Sequence, residues 1–155
     1  MIIRETTYAD TPNLERVLDE TELFPSDMLA DMLSGFLSDG VNNDLWLTCE
    51  SEGEAIGFCY ASPEQLADGT WNMLAIAVLP AAQSKGAGAA LVAELESRLR
   101  ETGQRVLIAD TSGTDEFART RKFYRKNGYS EEALIREFWG PGDDKVTFWK
   151  SLAAQ

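Results

Sequence analysis

The segment Val78-Leu79-Pro80-Ala81-Ala82-Gln83-Ser84-Lys85-Gly86-Ala87-Gly88-Ala89 has the residue types best suited to chemistry. Its glycines and small side chains let main chain approach a ligand closely. A helical pattern follows it. Free N–H groups at a helix start, aligned with the helix dipole, favour phosphate. Lys85 adds a positive charge. The spacing is not that of a P-loop, which needs Gly-x-x-x-x-Gly-Lys-Ser/Thr. Nor is it the dinucleotide fingerprint, because Gly86-x-Gly88-x-x-Leu91 lacks the third glycine. The absences are equally informative. The chain has no histidine, which excludes Ser–His and Cys–His nucleophile pairs, His zinc sites and His proton shuttles. It has only two cysteines, Cys49 and Cys59, so no Cys-rich metal site is expected. If Glu52-Gly53 is a two-residue hairpin turn, Cys49 faces Ile56. Cys59 then lies three residues further along, on the opposite face of the sheet. Two buried, unlinked thiols are the expectation.

The elements that must position the turn can be read along the chain. Ile2–Thr6 is β-branched and alternates, as a short strand does. Asp10 or Thr11 can cap a helix with Pro12 at its start and Leu14, Val17 and Leu18 as its buried stripe. Pro25-Ser26-Asp27 opens a second, strongly amphipathic helix through Leu37. Gly40 to Asp44 reads as a polar loop. Leu45–Glu50 and Ala55–Tyr60 form a hairpin, and Ser62–Gly69 a loop. Trp71–Leu79 is a nearly continuous apolar run, as in a central strand buried on both faces. Pro80 stops it, and a helix runs from about Gly86 to Arg100, closed by Gly103. Arg105–Thr111 is a strand. A helix capped at Thr114 or Asp115 runs to Asn127. Tyr129–Phe138 and Lys145–Leu152 are the last strands, separated by Gly140-Pro141-Gly142-Asp143. The fold class is α/β, of the α+β kind: residues 1–155 form a single domain, a mixed central sheet of about seven strands with helices on both faces.

The composition fits one globular domain: 155 residues, 44% apolar and 26% charged. No apolar run approaches the roughly 20 residues of a membrane helix, so no membrane role is expected. The N-terminus lacks the charged and apolar regions of a secretory signal, so a cytoplasmic address is expected. The net charge of −12 makes nucleic acid a poor partner. That charge is unevenly placed: residues 1–70 carry −13, and residues 71–155 carry +1.

The stretch Ile76-Ala77-Val78-x-Pro80, followed by Gln83-x-x-Gly86-x-Gly88, resembles the acetyl-CoA motif of the GNAT superfamily of N-acetyltransferases. Arg121-Lys122-Phe123-Tyr124-Arg125-Lys126-Asn127-Gly128-Tyr129 resembles that family's second motif. The element order agrees across nearly the whole chain. The resemblance implies a splayed parallel strand pair that admits the pantetheine arm of acetyl-CoA, the co-substrate. It implies main-chain bonds to that arm from Ile76, Ala77 and Val78. Ser84, Lys85, Gly86, Ala87, Gly88 and Ala89 would wrap the pyrophosphate, with Gln83 starting the turn. Tyr124 would sit over the sulfur and protonate the departing thiolate. No metal is implied. Many members carry an Asn seven residues before the Tyr; here that position is Phe117, and Thr111, Ser112 or Thr114 are the substitutes at hand.

The amine must lose a proton to attack the thioester. Trp71–Val78 has no carboxylate, although members often place one on this strand. Asp110, at the end of the next strand, is the first candidate for the base, and a role capping the turn at Thr111-Ser112-Gly113 is its structural alternative. Asp27, Asp31 and Glu64 follow. The resemblance puts the acceptor on the acidic half, so a cationic amine is expected: a small molecule, or a lysine or N-terminus of a protein. A homodimer is compatible with the resemblance. The alternative function is a non-catalytic acyl-CoA-binding module for regulation or interaction.

Overall fold

The computed structural model describes residues 1–38 and 43–153, so most of the expected loop from Gly40 to Asp44 lies outside the described residues. Seven strands form one sheet in the order β1-β2-β3-β4-β5-β7-β6. They are β1 (Ile2–Glu5), β2 (Leu45–Ser51), β3 (Glu54–Pro63), β4 (Thr70–Val78), β5 (Val106–Ser112), β6 (Ser130–Gly140) and β7 (Asp143–Ser151). Among the described residues four α-helices pack on it: α1 (Thr11–Thr21), α2 (Leu29–Leu37), α3 (Ala87–Glu101) and α4 (Ala118–Lys126). Among the described residues only β4 and β5 run parallel; the other neighbouring pairs are antiparallel. Among the described residues no helix is long and apolar enough to cross a membrane.

Each face of the sheet carries its own core. On one face α1 and α2 bury Leu14, Val17, Leu18, Leu29 and Leu33 against Trp46, Phe58, Ala75 and Ala77. Trp46 stacks between Phe58 and Tyr60, with ring centroids 5.6 and 4.3 Å away. On the other face the apolar stripe of α3, Leu91, Val92, Leu95 and Leu99, meets Leu47, Met73, Leu107 and Ala109. Tyr124 of α4 and Phe148 of β7 complete that side.

Helix starts differ from the expected caps. Single 3₁₀ turns at Tyr8–Asp10, Ser26–Met28 and Asp115–Phe117 lead into α1, α2 and α4. Asp10 does not cap α1. Its carboxylate takes a forked pair of bonds from Arg4 (2.7 and 2.8 Å) and one from the Thr7 N–H (2.8 Å). Burial works to raise its pKa, but Arg4 and the Thr7 N–H outweigh that and hold it below the usual carboxylate value.

The hairpin turn at Glu52-Gly53 forms as expected. Both residues have positive φ (53° and 81°), which matches a two-residue turn to the twist of its strands. The cysteine register does not. A bulge between Cys49 and Glu50 puts Glu50 opposite Ala55 and Cys49 opposite Gly57. One extra residue inverts the face of everything beyond it. Cys49 and Cys59 therefore lie on the same face, in the α3 core, both buried and unlinked. Burial pushes the Cys59 thiol up to about 12, so it is inert as a nucleophile near neutral pH. A second bulge, at Tyr60/Ala61, leaves Leu74 without a register partner, because Tyr60 pairs with Ala75 and Ala61 with Met73. Leu74 is 53% exposed, so β4 is not buried throughout as its apolar run suggests.

Candidate active site

The sheet splits between β4 and β5. Their pairing consists of Thr70↔Val106, Trp71↔Leu107 and Asn72↔Ile108, and stops there. β4 continues to Val78 on β3, while β5 stays with β7 along its full length. Beyond Asn72 the β5-facing edge of β4 has no strand partner. Main-chain polar groups along a buried edge need one. Ala77 and Val78 are buried and Ile76 half-buried on this edge, which suits an extended, amide-bearing ligand arm lying in the gap.

The free edge leads into the glycine turn. Gln83 starts it, as expected, and its Nε2 donates to the Val78 carbonyl at 3.0 Å, fastening the turn to the strand end. Ser84 and Gly86 have φ of 65° and 90°. Gly86 caps α3, and a Cβ placed there would meet nothing within 4 Å, so the turn is open on that side. The first helical bond of α3 is Ala90 N–H to Gly86 O; the N–H groups of residues 84–89 have no main-chain acceptor among the described residues. Arg119 of α4 donates to Ser84 Oγ at 2.7 Å, which adds a guanidinium to the turn beside the exposed Lys85. Unpaired N–H groups, a helix dipole and two cations fit a pyrophosphate without a metal. Gly88 also serves packing. A Cβ there would lie 3.0 Å from Phe123 Cε1, so the glycine lets α3 and α4 approach.

Tyr124 lies in the aromatic packing between α4 and the sheet. Its ring centroid is 5.5 Å from Phe123, 5.8 Å from Tyr129 and 5.2 Å from Phe148. Tyr129 is anchored in turn, its hydroxyl donating to Glu96 at 2.7 Å beside Lys150 (2.9 Å). Burial, with lesser contributions from Cys59 and Asp110, raises the Tyr124 pKa above the usual phenol value. Its hydroxyl has no hydrogen-bond partner among the described residues.

Asp110 lies across the gap. Thr147 Oγ1 donates to its Oδ1 at 2.6 Å. Its Oδ2 has only long contacts, 3.4 Å from Asn72 Nδ2 and 3.6 Å from Lys145 Nζ. The capping alternative for Asp110 is not seen: the loop after β5 is tied by Ser112 to Thr114 and Asp143, and by Arg121 to the carbonyls of Ser112 and Thr114. Those bonds commit the side chains of Ser112 and Thr114. Phe117 belongs to the turn entering α4. Asp27 and Asp31 are exposed on the α2 side and make no bond to the gap, whereas Glu64 reaches it through Asn72 (2.9 Å). Arg119 and Asn72 are the site-lining residues that residue type alone does not single out. A concavity of about 650 Å³ between Trp71, Arg98, Leu99 and Gln104 lies away from the turn.

A strand gap feeding an open helix N-terminus flanked by cations gives a place where an extended, phosphate-bearing ligand can lie. Residues 9–129 match the Acetyltransferase (GNAT) family. The chain belongs to that family and is an N-acetyltransferase. It is similar to a GNAT-family acetyltransferase structure from Desulfovibrio desulfuricans: 30% identity, TM-score 0.89, covering 98% of this chain and 99% of that one. It is 24% identical over 151 residues to an uncharacterized N-acetyltransferase of Methanocaldococcus jannaschii, covering 97% of this chain and 91% of that one. The structure of an aminoglycoside 6'-N-acetyltransferase complexed with coenzyme A shares the fold at 18% identity and TM-score 0.81, over 100% and 99% of the two chains.

Proposed function

We propose that this enzyme moves an acetyl group from acetyl-CoA directly to a primary amine that carries positive charge. The observation that carries the reading is the split after Asn72↔Ile108, whose free β4 edge runs straight into the Gly86 turn. In this reading Ile76, Ala77 and Val78 bind the pantetheine arm through main chain. The 84–89 turn holds the pyrophosphate with help from Arg119. Direct transfer needs a proton removed from the acceptor ammonium and a donor for the departing thiolate. Asp110 takes the first proton on Oδ2, the oxygen with only long contacts. The amine nitrogen then bonds to the acetyl carbon, and the carbon–sulfur bond breaks. Tyr124 gives its proton to the sulfur as it leaves, and the second proton that the new nitrogen sheds on becoming a neutral amide restores the phenol. A main-chain N–H near Val78 stabilises the intermediate oxyanion.

A phenol near about 10 protonates a thiolate near about 8.5 at a cost of about 2 kcal/mol. Burial raises that cost for Tyr124, so its hydroxyl acts first as a hydrogen-bond donor and passes the proton late. The acidic acceptor half supports a cationic amine, whether a polyamine, an aminoglycoside or a protein amine. Two buried free thiols suit a reducing compartment, the cytoplasm. The test is thiol release from acetyl-CoA across a panel of amines. Release that depends on a cationic primary amine supports the reading; release with none of the panel overturns it.

A further inference from the structure

Asn72 occupies the last rung before β4 and β5 part, and it is 8% exposed. Its Nδ2 donates to Glu64 Oε1 at 2.9 Å and lies 3.4 Å from Asp110 Oδ2. Ionised carboxylates only accept hydrogen bonds, so this pair of contacts fixes which end of the amide is nitrogen. The other end, Oδ1, is enclosed and has no donor among the described residues. The two carboxylates are not equivalent. Asp110 already has Thr147 (2.6 Å) and the Lys145 ammonium (3.6 Å), and Lys145 in turn lies 4.2 Å from the Phe138 ring centroid. Among the described residues the Glu64 side chain has Asn72 alone, while its main-chain N–H is tied to Thr70 O at 2.9 Å. The cluster thus holds two carboxylates against one ammonium, next to an amide oxygen without a donor. A cationic N–H donor complements both features. Lys145 shows the same chemistry within the chain, an ammonium held between a carboxylate and an aromatic face.

We propose that Glu64 and Asn72 form the recognition seat for the acceptor's ammonium group. Glu64 supplies the charge, and Asn72 is the positioning residue that holds Glu64 beside Asp110 at the fork. The inference rests on the amine-acetylation reading and adds to it the residues that select the acceptor. A primary ammonium supplies several N–H donors; a quaternary ammonium supplies none and does not fit the seat.

Two measurements test it. In steady-state kinetics at saturating acetyl-CoA, Glu64→Gln raises KM for the preferred amine at least tenfold, with the acetyl-CoA KM unchanged. Asn72→Ala raises the same KM and also lowers kcat, because Asp110 loses its neighbour. In NMR titrations of the CoA-loaded protein, spermidine shifts the Asn72 side-chain amide signal to saturation. Tetramethylammonium does not shift it, and Glu64→Gln weakens the spermidine response at least tenfold. An unchanged acceptor KM in Glu64→Gln, or spermidine affinity equal to wild type in that variant, overturns the seat. The two readings separate cleanly. Amines acetylated with an unaltered KM in Glu64→Gln leave the transfer reading standing without the seat. Glu64-dependent spermidine binding without any acetylation leaves the seat standing without transfer.

Discussion

Replacing Tyr124 with phenylalanine isolates one hydroxyl. The ring makes all the packing contacts, with Phe123, Tyr129 and Phe148 at 5.2–5.8 Å between centroids. The hydroxyl has no hydrogen-bond partner among the described residues, so its loss leaves no group unpaired. The change in folding stability is then that of a neutral substitution, within about 0.5 kcal/mol. A positioned acid contributes roughly a hundredfold to rate, and at 1.36 kcal/mol per factor of ten that is about 2.7 kcal/mol of barrier. The loss in activation free energy therefore exceeds the loss in stability about fivefold, a ratio that packing damage does not produce. Three assays read it: thiol release at saturating acetyl-CoA, CoA affinity by calorimetry, and thermal unfolding. The expected result is a hundredfold fall in kcat with CoA affinity and Tm unchanged. The raised pKa keeps Tyr124 protonated past the usual phenol range, so any alkaline fall in wild-type rate below that range comes from another group. Wild-type turnover in Tyr124→Phe would remove the hydroxyl from the mechanism. A parallel drop in Tm and rate would show that the hydroxyl acts through the fold and not as an acid.

At the turn, Gly86→Glu puts a carboxylate in the open space where phosphate is expected and lowers CoA affinity at least tenfold by calorimetry. Gly86→Ala shares the strain of φ 90°, about 1–2 kcal/mol, without the charge, and keeps most of the affinity. Asp10→Asn weakens the Arg4 fork and costs about 1.5–3 kcal/mol in urea unfolding. Because the folded pKa of Asp10 is depressed, its contribution is fully present above about pH 4 and is lost as pH falls through the lower folded value; acid unfolding of the variant lacks that slope. With acetyl-CoA saturating, kcat/KM for a cationic acceptor falls as salt shortens the Debye length to about 8–10 Å and below, and Asp27→Asn with Asp31→Asn lowers it further; a neutral preferred acceptor with no salt response refutes the steering.

Where local chemistry decides, the sequence already carries the fold. Glu52-Gly53 makes its turn, Pro80 ends β4, and Gln83-Ser84-Lys85-Gly86 makes the open start of α3. The features it hides depend on pairing between segments. Nothing in the types of Glu50 or Leu74 marks a bulge, yet the bulge beside Glu50 brings Cys59 to the face of Cys49, and the bulge at Leu74 brings that side chain into solvent. The 3₁₀ lead-ins to three helices are similarly silent, because Asp10 is claimed by Arg4 of another element before it can act as a cap. The site divides in the same way. Tyr124 and the turn announce themselves by local motif. Asn72 is one amide in an apolar run, and its meaning depends on Glu64 and Asp110 arriving from two other segments. Arg119 is one of several cations on its helix until folding sets it against Ser84.

The geometry of the split also explains how groups on opposite faces of a sheet can serve one reaction. Tyr124 belongs to the α3 side, in a core with Leu107, Ala109 and Phe148. Asp110 follows Ala109 in the strand, so its side chain leaves by the other face, where its register partner Thr147 binds it. In a continuous sheet the hydrogen-bonded backbone would stand between the two. Here β4 departs from β5 after Ile108, one residue before Ala109, so the backbone screen ends where the two side chains diverge. In the proposed reaction a thioester lying in this gap would meet Tyr124 from one face of the sheet and Asp110 from the other. On that reading the sheet would keep leaving group and nucleophile apart until the acetyl carbon between them connects the two.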